Sequence, residues 1–121
     1  MSKSTLDTIR EACLWAKANG HELLRGGAWF DFTTTPWGCD SLGAVLLQRG
    51  LVQVIPDDLA RPGFSELAKE ALGEDDFWLR RWWMGWDRGN QVTITIKVKD
   101  AEKETKDEVS ASAVALWKEL K

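Results

Sequence analysis

The stretch that decides the fold class covers residues 76–99 and reads DFWLRRWWMGWDRGNQVTITIKVK. At about 100° per residue, its first half places all of its tryptophans on one broad face, which predicts a helix over residues 77–86. Residues 91–99 then alternate between apolar and polar side chains, which is the period of a strand with one buried face. A helix that is followed at once by a strand predicts an α+β fold.

Two helices are predicted on the N-terminal side of this stretch. Thr5 is expected to cap a first helix over residues 5–19, whose apolar face carries Leu6, Ile9, Ala12, Cys13 and Ala16. Thr35 is expected to cap a second helix over residues 36–49, which would open with a proline. Within it, Gly43 is expected to let another backbone approach closely.

Two further helices and a short strand complete the predicted architecture. Phe64–Leu72 has helical spacing and is followed by a glycine, and a capping box of Thr105 and Glu108 predicts the start of the last helix. Residues 51–55 predict a short strand, and the charged residues 100–106 predict a solvated loop or a frayed helix start. The expected molecule is mostly helical, with four or five helices and a small sheet or ribbon.

Length and composition predict one globular domain over residues 1–121. The chain is 44% hydrophobic and 29% charged, which is the balance of a folded protein of this size. Its two cysteines are too few for a disulfide scaffold, so reduced thiols and a cytoplasmic location are expected. The N-terminal residues have no apolar signal core, and no apolar run is long enough to cross a bilayer, so no membrane association is expected.

Charge and motif content argue against several classes of partner. A formal net charge of −3 lacks the clustered basic surface that sequence-independent nucleic-acid binding requires. One histidine and two cysteines without paired spacing do not form a closed zinc site. No glycine pair belongs to a phosphate loop or a dinucleotide fingerprint. We therefore expect no cofactor and no metal.

The apolar row of the predicted strand needs a cover. This row consists of Val92, Ile94, Ile96 and Val98. We expect the chain's own helices to cover it, and Lys97 and Lys99 to discourage pairing with other chains. The protein is then a monomer or a weak dimer, and a structural oligomer built through this strand is the alternative.

Tryptophan is the most unusual feature of the composition, because eight tryptophans and four phenylalanines occur without any tyrosine. The tryptophans of residues 77–86 form either the core or an open binding patch. Trp29 and Trp37 lie in looser segments and are better candidates for exposure than those of the helix. These two residues are predicted to bind a protein or small-molecule partner.

A second candidate site is the turn that is predicted at residues 86–90, between the helix and the strand. Rigid elements on both sides make such a turn a place where binding groups are presented, so Trp86, Asp87 and Arg88 are predicted site residues. Gly89 or Asn90 can supply a positive φ there. The alternative is structural: Asp87 caps local backbone amides and Arg88 is solvated.

Cys39 offers an enzymatic alternative. It is predicted to lie in the first turn of the helix over residues 36–49, where the helix dipole favours a thiolate. His21 would then act as its base, with Asp31 or Asp40 orienting the imidazole. The stronger hypothesis is structural, because Cys39 shares an apolar helix face and buried free cysteines are common in cores.

Three short motifs, in the same order, resemble a family of small uncharacterised proteins from bacterial and phage genomes. They are Cys39-Asp40-Ser41-Leu42-Gly43-Ala44, Trp86-Asp87 and Thr105-Lys106-Asp107-Glu108-Val109. The resemblance implies a phage-derived or anti-defence protein but brings no activity with it. The expected function is that of a small, non-enzymatic binding or interaction protein that uses aromatic surface, with a cysteine-dependent hydrolase using Cys39 and His21 as the alternative.

Overall fold

The computed structural model describes residues 4–52 and 63–121. Within these ranges the chain forms five helices and two small antiparallel sheets, which confirms the predicted α+β class. The elements in chain order are α1 (Thr5–Ala18), β1 (Phe30–Asp31), β2 (Gly38–Cys39), α2 (Ser41–Gln48), α3 (Phe64–Leu72), α4 (Asp76–Arg88), β3 (Thr93–Val98), β4 (Ala101–Lys106) and α5 (Glu108–Leu120). From Gln53 onward, the strand that is predicted over residues 51–55 lies outside the described residues.

The chain divides into two compact units, residues 1–76 and residues 77–121, and each is described by itself. The single domain that is expected over residues 1–121 stays a prediction. None of the helices in the described ranges combines the length and the apolar character that crossing a membrane requires.

In the first unit, α1 packs against α2 through a face of small and aliphatic side chains. The buried residues of α1 are Ile9, Ala12, Cys13 and Ala16, which lie on the predicted apolar face. Its N-cap is Ser4 rather than the predicted Thr5: the Ser4 hydroxyl accepts a hydrogen bond from the Asp7 amide at 3.1 Å. Either hydroxyl residue suits the position chemically, and Ser4 is the one with extended backbone geometry.

The predicted start of α2 is wrong. Thr35 does not cap a helix; α2 begins at Ser41 and is capped by Asp40, whose Oδ1 accepts a hydrogen bond from the Gly43 amide at 2.6 Å. The residues before it are extended, because the Cys39 amide donates to the Glu22 carbonyl at 2.9 Å and the Cys39 carbonyl accepts from Leu24 at 2.8 Å. These long-range hydrogen bonds replace the first helical turns that the local pattern predicted.

A small sheet forms around Cys39. On one side β2 pairs antiparallel with β1, with Phe30 opposite Cys39 and Asp31 opposite Gly38. On the other side, Leu23 forms a parallel bridge with Cys39. Cys39 therefore lies in the middle of the extended backbone of this unit.

The third helix agrees with its prediction from end to end. α3 covers Phe64–Leu72 and ends at Gly73, which has φ +69° in the left-handed region. At its C-terminal end, Lys69 forms ion pairs with Glu66 at 2.7 Å and with Asp76 at 3.1 Å.

In the second unit, the tryptophan helix α4 is buried along one side. Trp78, Trp82 and Trp86 are 9%, 1% and 0% exposed, whereas Trp83 is half-buried. The rings of Trp78 and Trp82 stack with centroids 5.4 Å apart. Trp78, Trp82 and Trp86 therefore form core and not an open patch.

The start of α5 and the close approach of α5 to α4 depend on two small features. Asp107 caps α5 by accepting from the Ser110 amide at 2.8 Å, so the predicted capping box of Thr105 and Glu108 is wrong. Gly85 of α4 lies so near that a Cβ there would be 2.1 Å from the Ser110 carbonyl oxygen. Only a residue without a side chain permits this approach.

Residues 100–106 are not a loop or a helix start, as predicted, because Ala101–Lys106 forms β4 and pairs antiparallel with β3. Lys99, with φ +57°, lies in the tight turn between the strands. The expected helical cover of the strand is also wrong for Val98, which is 58% exposed; Ile94 is half-buried. Thus the hairpin presents apolar side chains that the prediction placed in the core.

Candidate aromatic binding surface

Five aromatic rings of the first unit form one connected group, here called the aromatic cluster: Trp29, Phe30, Phe32, Trp37 and Phe64. Phe30 is its centre, with ring centroids 5.0 Å from Phe64, 5.5 Å from Phe32 and 6.3 Å from Trp37. Trp29 joins through Phe64 at 5.7 Å, and Phe32 meets Trp37 edge-on at 4.8 Å. Phe30 is buried, while the other four rings are half-buried and keep part of their surface open.

Hydrogen bonds from side chains to the backbone hold the loop between β1 and β2, which carries Phe32 and Trp37. The Thr34 hydroxyl donates to the Asp31 carbonyl at 3.3 Å and accepts from the Gly38 amide at 3.0 Å, which closes the loop across its base. The Asp31 carboxylate accepts from both the amide and the hydroxyl of Thr33. These hydrogen bonds lower the pKa of Asp31. A loop held in this way loses little further entropy when it binds a partner.

Gly43 sets the distance between the aromatic cluster and α2. A Cβ at Gly43 would be 2.5 Å from the Trp29 carbonyl oxygen and 3.1 Å from Cε1 of Phe30. The predicted role of Gly43, close approach of another backbone, is thereby confirmed. The approach also lets the Asp40 amide donate to the Trp29 carbonyl at 3.0 Å, which ties the start of the cluster to the start of the helix.

A shallow pocket of about 250 Å³ lies beside Trp37. It is lined by His21, Thr35, Pro36, Trp37, Leu47 and Val52. The His21 Nδ1–H donates to the Trp37 carbonyl at 2.6 Å, and the imidazole stacks on Trp15 with centroids 5.5 Å apart. With Nδ1 as the donor, the neutral ring keeps Nε2 as a hydrogen-bond acceptor.

A second, larger cavity of about 490 Å³ lies between the end of α2 and α3. It is lined by Arg49, Leu51, Leu67, Glu70 and Ala71. None of its lining residues belongs to the aromatic cluster. The pocket beside Trp37 is therefore the one that belongs with the predicted site.

The predicted site residues separate into two groups. Trp29 and Trp37 both belong to the aromatic cluster, and both are half-buried rather than freely exposed. Trp86 belongs to the second unit and is fully buried, packed edge-on against Trp117 with centroids 5.1 Å apart. Its ring is therefore not on the surface, where the prediction needs it.

The predicted turn begins later than expected, because α4 continues through Asp87 to Arg88. Asp87 is half-buried and Arg88 is exposed at the last position of the helix. Gly89 follows with φ +68°, so the positive φ that was expected at this point is present. Arg88 is thus the one member of this group that is exposed.

Sequence reasoning missed three residues of the surface: Trp15, Phe32 and Phe64. The signal for Trp15 was available, because it lies off the apolar face of α1 and a large aromatic residue there needs a partner outside the core. The partner is His21, which follows after the end of the helix. Phe32 and Phe64 gave no such signal, because they are far apart in the sequence and only folding brings both of them into contact with Phe30.

The environment of Cys39 disfavours the cysteine hydrolase. The thiol is fully buried, and burial together with the adjacent Asp40 carboxylate raises its pKa to about 12. Cys39 also precedes α2 in β2, so it lacks the helix N-terminus that was expected to favour a thiolate. Burial likewise raises the pKa of Cys13.

The described residues contain no group of three or more histidine, cysteine or acidic side chains that could hold a metal ion. No family model, no curated protein sequence and no solved structure matches the chain. The resemblance carried by the short motifs therefore stays an expectation. The aromatic cluster and the pocket beside Trp37 are the features of the chain that bear on function.

Proposed function

We propose that this chain is a small non-enzymatic binding protein, and that the aromatic cluster with the pocket beside Trp37 receives an apolar side chain of a peptide or protein partner. The observation that supports this proposal is the combination of half-open aromatic rings with a loop whose backbone is held by Thr34 and Asp31. Large, rigid aromatic surfaces of this kind are enriched at the energetic centres of interfaces.

The size of the pocket favours a side chain over a small molecule. Pockets that enclose drug-sized ligands usually have about 300–1,000 Å³ and bury most of the ligand. The pocket beside Trp37 has about 250 Å³. It is large enough for one leucine- or phenylalanine-sized group, while the rest of a partner would lie on the surrounding rings.

The polar groups of the site suit the backbone of such a partner. In its neutral form His21 has an acceptor at Nε2, because Nδ1 donates to the Trp37 carbonyl. A peptide amide is a matching donor, and one hydrogen bond of this kind orients an apolar anchor without adding charge. Stacking on Trp15 holds the imidazole plane in place.

The test uses a displayed library of random linear peptides selected against the full chain, followed by titration of the enriched peptides. We expect the enriched peptides to share an apolar or aromatic anchor, and Trp37→Ala to weaken their binding at least tenfold, because it removes one wall of the pocket. The control is Leu14→Ala, a truncation of a side chain that is 51% exposed on α1, which should leave binding unchanged.

Thermal melting of both variants separates loss of binding from loss of folding. The half-buried Trp37 contributes to packing, so a second variant, His21→Ala, keeps the test informative if Trp37→Ala melts early. Enriched peptides that bind Trp37→Ala and His21→Ala as tightly as the native chain would rule out this surface as the binding site.

A further inference from the structure

The β3–β4 hairpin of the second unit has exposed apolar surface, and a hairpin of two strands is only marginally stable by itself. Val98 is 58% exposed, and along β4 every residue is exposed except Thr105, which is half-buried. Isolated two-stranded hairpins are marginally stable in water, and a third strand or a cover is usually needed. The hairpin therefore gains stability from any strand that pairs with it.

The outer edge of β3 can receive such a strand. In the described residues β3 pairs with β4 alone, so its other edge has no strand partner. When two identical strands pair antiparallel about a two-fold axis, one residue lies on the axis and residues equally far before and after it lie opposite each other. With residue 96 on the axis, Ile94 lies opposite Val98 of the second copy, and Thr95 lies opposite Lys97.

This register is self-complementary in both polarity and charge. It places the exposed Val98 against the half-buried Ile94 of the other copy, once on each side of the axis. Lys97 meets a neutral threonine across the axis, and within the hairpin it lies directly opposite Glu102. No like charges lie directly opposite each other, and the lysine that was expected to discourage pairing lies opposite an acidic residue within its own hairpin.

The outer edge of β4 is different. Its two longest symmetric registers place either Glu104 or Lys103 opposite the same residue of the second copy. Like charges that lie directly opposite each other destabilise a strand pair. β4 also has no valine, isoleucine or leucine to place at the centre of a contact. The charge pattern thus protects one edge of the hairpin and leaves the other open.

We infer that the β3 edge is a homodimerisation site, at which two copies of the chain pair β3 with β3 antiparallel about residue 96. The two hairpins then form one four-stranded sheet. The contact is a short strand pair that is small for a stable interface, so the dimer is weak and depends on protein concentration. This inference does not rest on the proposed peptide binding, because it uses a different unit and different residues.

Cross-linking of the full chain tests the register. Ile94→Cys and Val98→Cys are prepared separately, mixed and mildly oxidised. We expect a disulfide-linked dimer in the mixture and little in either variant alone, because opposite Cβ atoms lie within disulfide reach whereas two copies of the same variant place them about 13 Å apart. The native Cys13 and Cys39 are buried and do not compete.

Sedimentation equilibrium tests the association itself. Val98→Lys should weaken dimerisation about tenfold or more, since it removes both Ile94–Val98 contacts and places a charge in each. The matched control is Ala101→Lys, the same charge at the position directly opposite Val98 on β4. Circular dichroism confirms that both variants fold. A native chain that stays monomeric at every concentration, equal effects of the two lysines, or equal cross-linking in all three samples would overturn the inference.

Discussion

At the scale of single residues, Asp107 joins two elements through one carboxylate. Its side chain is almost completely buried, it caps α5 through the Ser110 amide, and it accepts from the Arg81 guanidinium at 2.6 Å. Burial by itself raises the pKa of Asp107. The hydrogen bonds from Ser110 and Arg81 and the charge of Arg81 outweigh that effect, so the pKa is lowered overall.

Replacing Asp107 is expected to cost stability in a pH-dependent way. Asp107→Ala should lower the free energy of unfolding at neutral pH by about 2–3 kcal/mol, because it removes a helix cap and a charge-assisted hydrogen bond. A carboxyl whose pKa is lowered by folding stabilises the protein above its unfolded-state pKa. That contribution is lost as the pH falls through the folded-state value.

Urea unfolding of the native chain and of Asp107→Ala, at neutral pH and below about pH 4, measures this difference. We expect the difference in the free energy of unfolding between the native chain and Asp107→Ala to become smaller in acid. The control is Asp100→Ala, which changes an exposed residue of the hairpin turn and should behave as the native chain does. A gap that stays constant with pH would show that the charge of Asp107 has no part in its effect.

At the scale of elements, Gly43 determines how closely the aromatic cluster lies on α2. Gly43→Ala places a Cβ 2.5 Å from the Trp29 carbonyl oxygen, so backbone has to move, and we expect a loss of about 1–3 kcal/mol in the free energy of unfolding. The control is Gly63→Ala in the same unit, where a Cβ meets no heavy atom of the described residues within 4 Å. Denaturant unfolding that shows equal losses for both variants would contradict this role of Gly43.

At the scale of the whole molecule, the cooperativity of unfolding distinguishes one domain from two. The prediction of a single domain requires that destabilising the second unit also destabilises the first. Gly85→Ala forces a Cβ to within 2.1 Å of the Ser110 carbonyl oxygen in the second unit. Cys39 reports on the first unit, because its thiol is buried and its raised pKa keeps it protonated until the unit opens.

For a single cooperative domain, Gly85→Ala should lower the urea concentration at which Cys39 becomes reactive to a thiol reagent. Cys39 should label slowly in the absence of urea. Five of the eight tryptophans lie in the second unit, so intrinsic fluorescence reports mainly on the unfolding of that unit. If the Cys39 midpoint stays where it is in the native chain while the fluorescence midpoint falls, the chain consists of two independently stable domains.

The sequence by itself determined the class of the fold and most of the helices. Helical spacing and glycine end signals are local properties, so α3 was predicted from Phe64 to Gly73, and the buried face of α1 was predicted in the correct positions. The alternation of residues 91–99 predicted β3 for the same reason. Trp29 and Trp37 were predicted to be exposed because they lie outside regular helical patterns, and both are half-buried.

Only the tertiary structure decided where α2 begins, what pairs with β3 and which tryptophans are buried. The Thr35-Pro36 pair is a good helix start by local criteria. However, the backbone of Cys39 forms hydrogen bonds with Glu22 and Leu24, so the helix begins later and Asp40 caps it. β4 has a charged, solvent-facing composition, and only its partner strand makes it a strand. The physical reason is common to these cases: hydrogen bonds and ring contacts between residues far apart in the chain outweigh local preferences of a few tenths of a kcal/mol per residue.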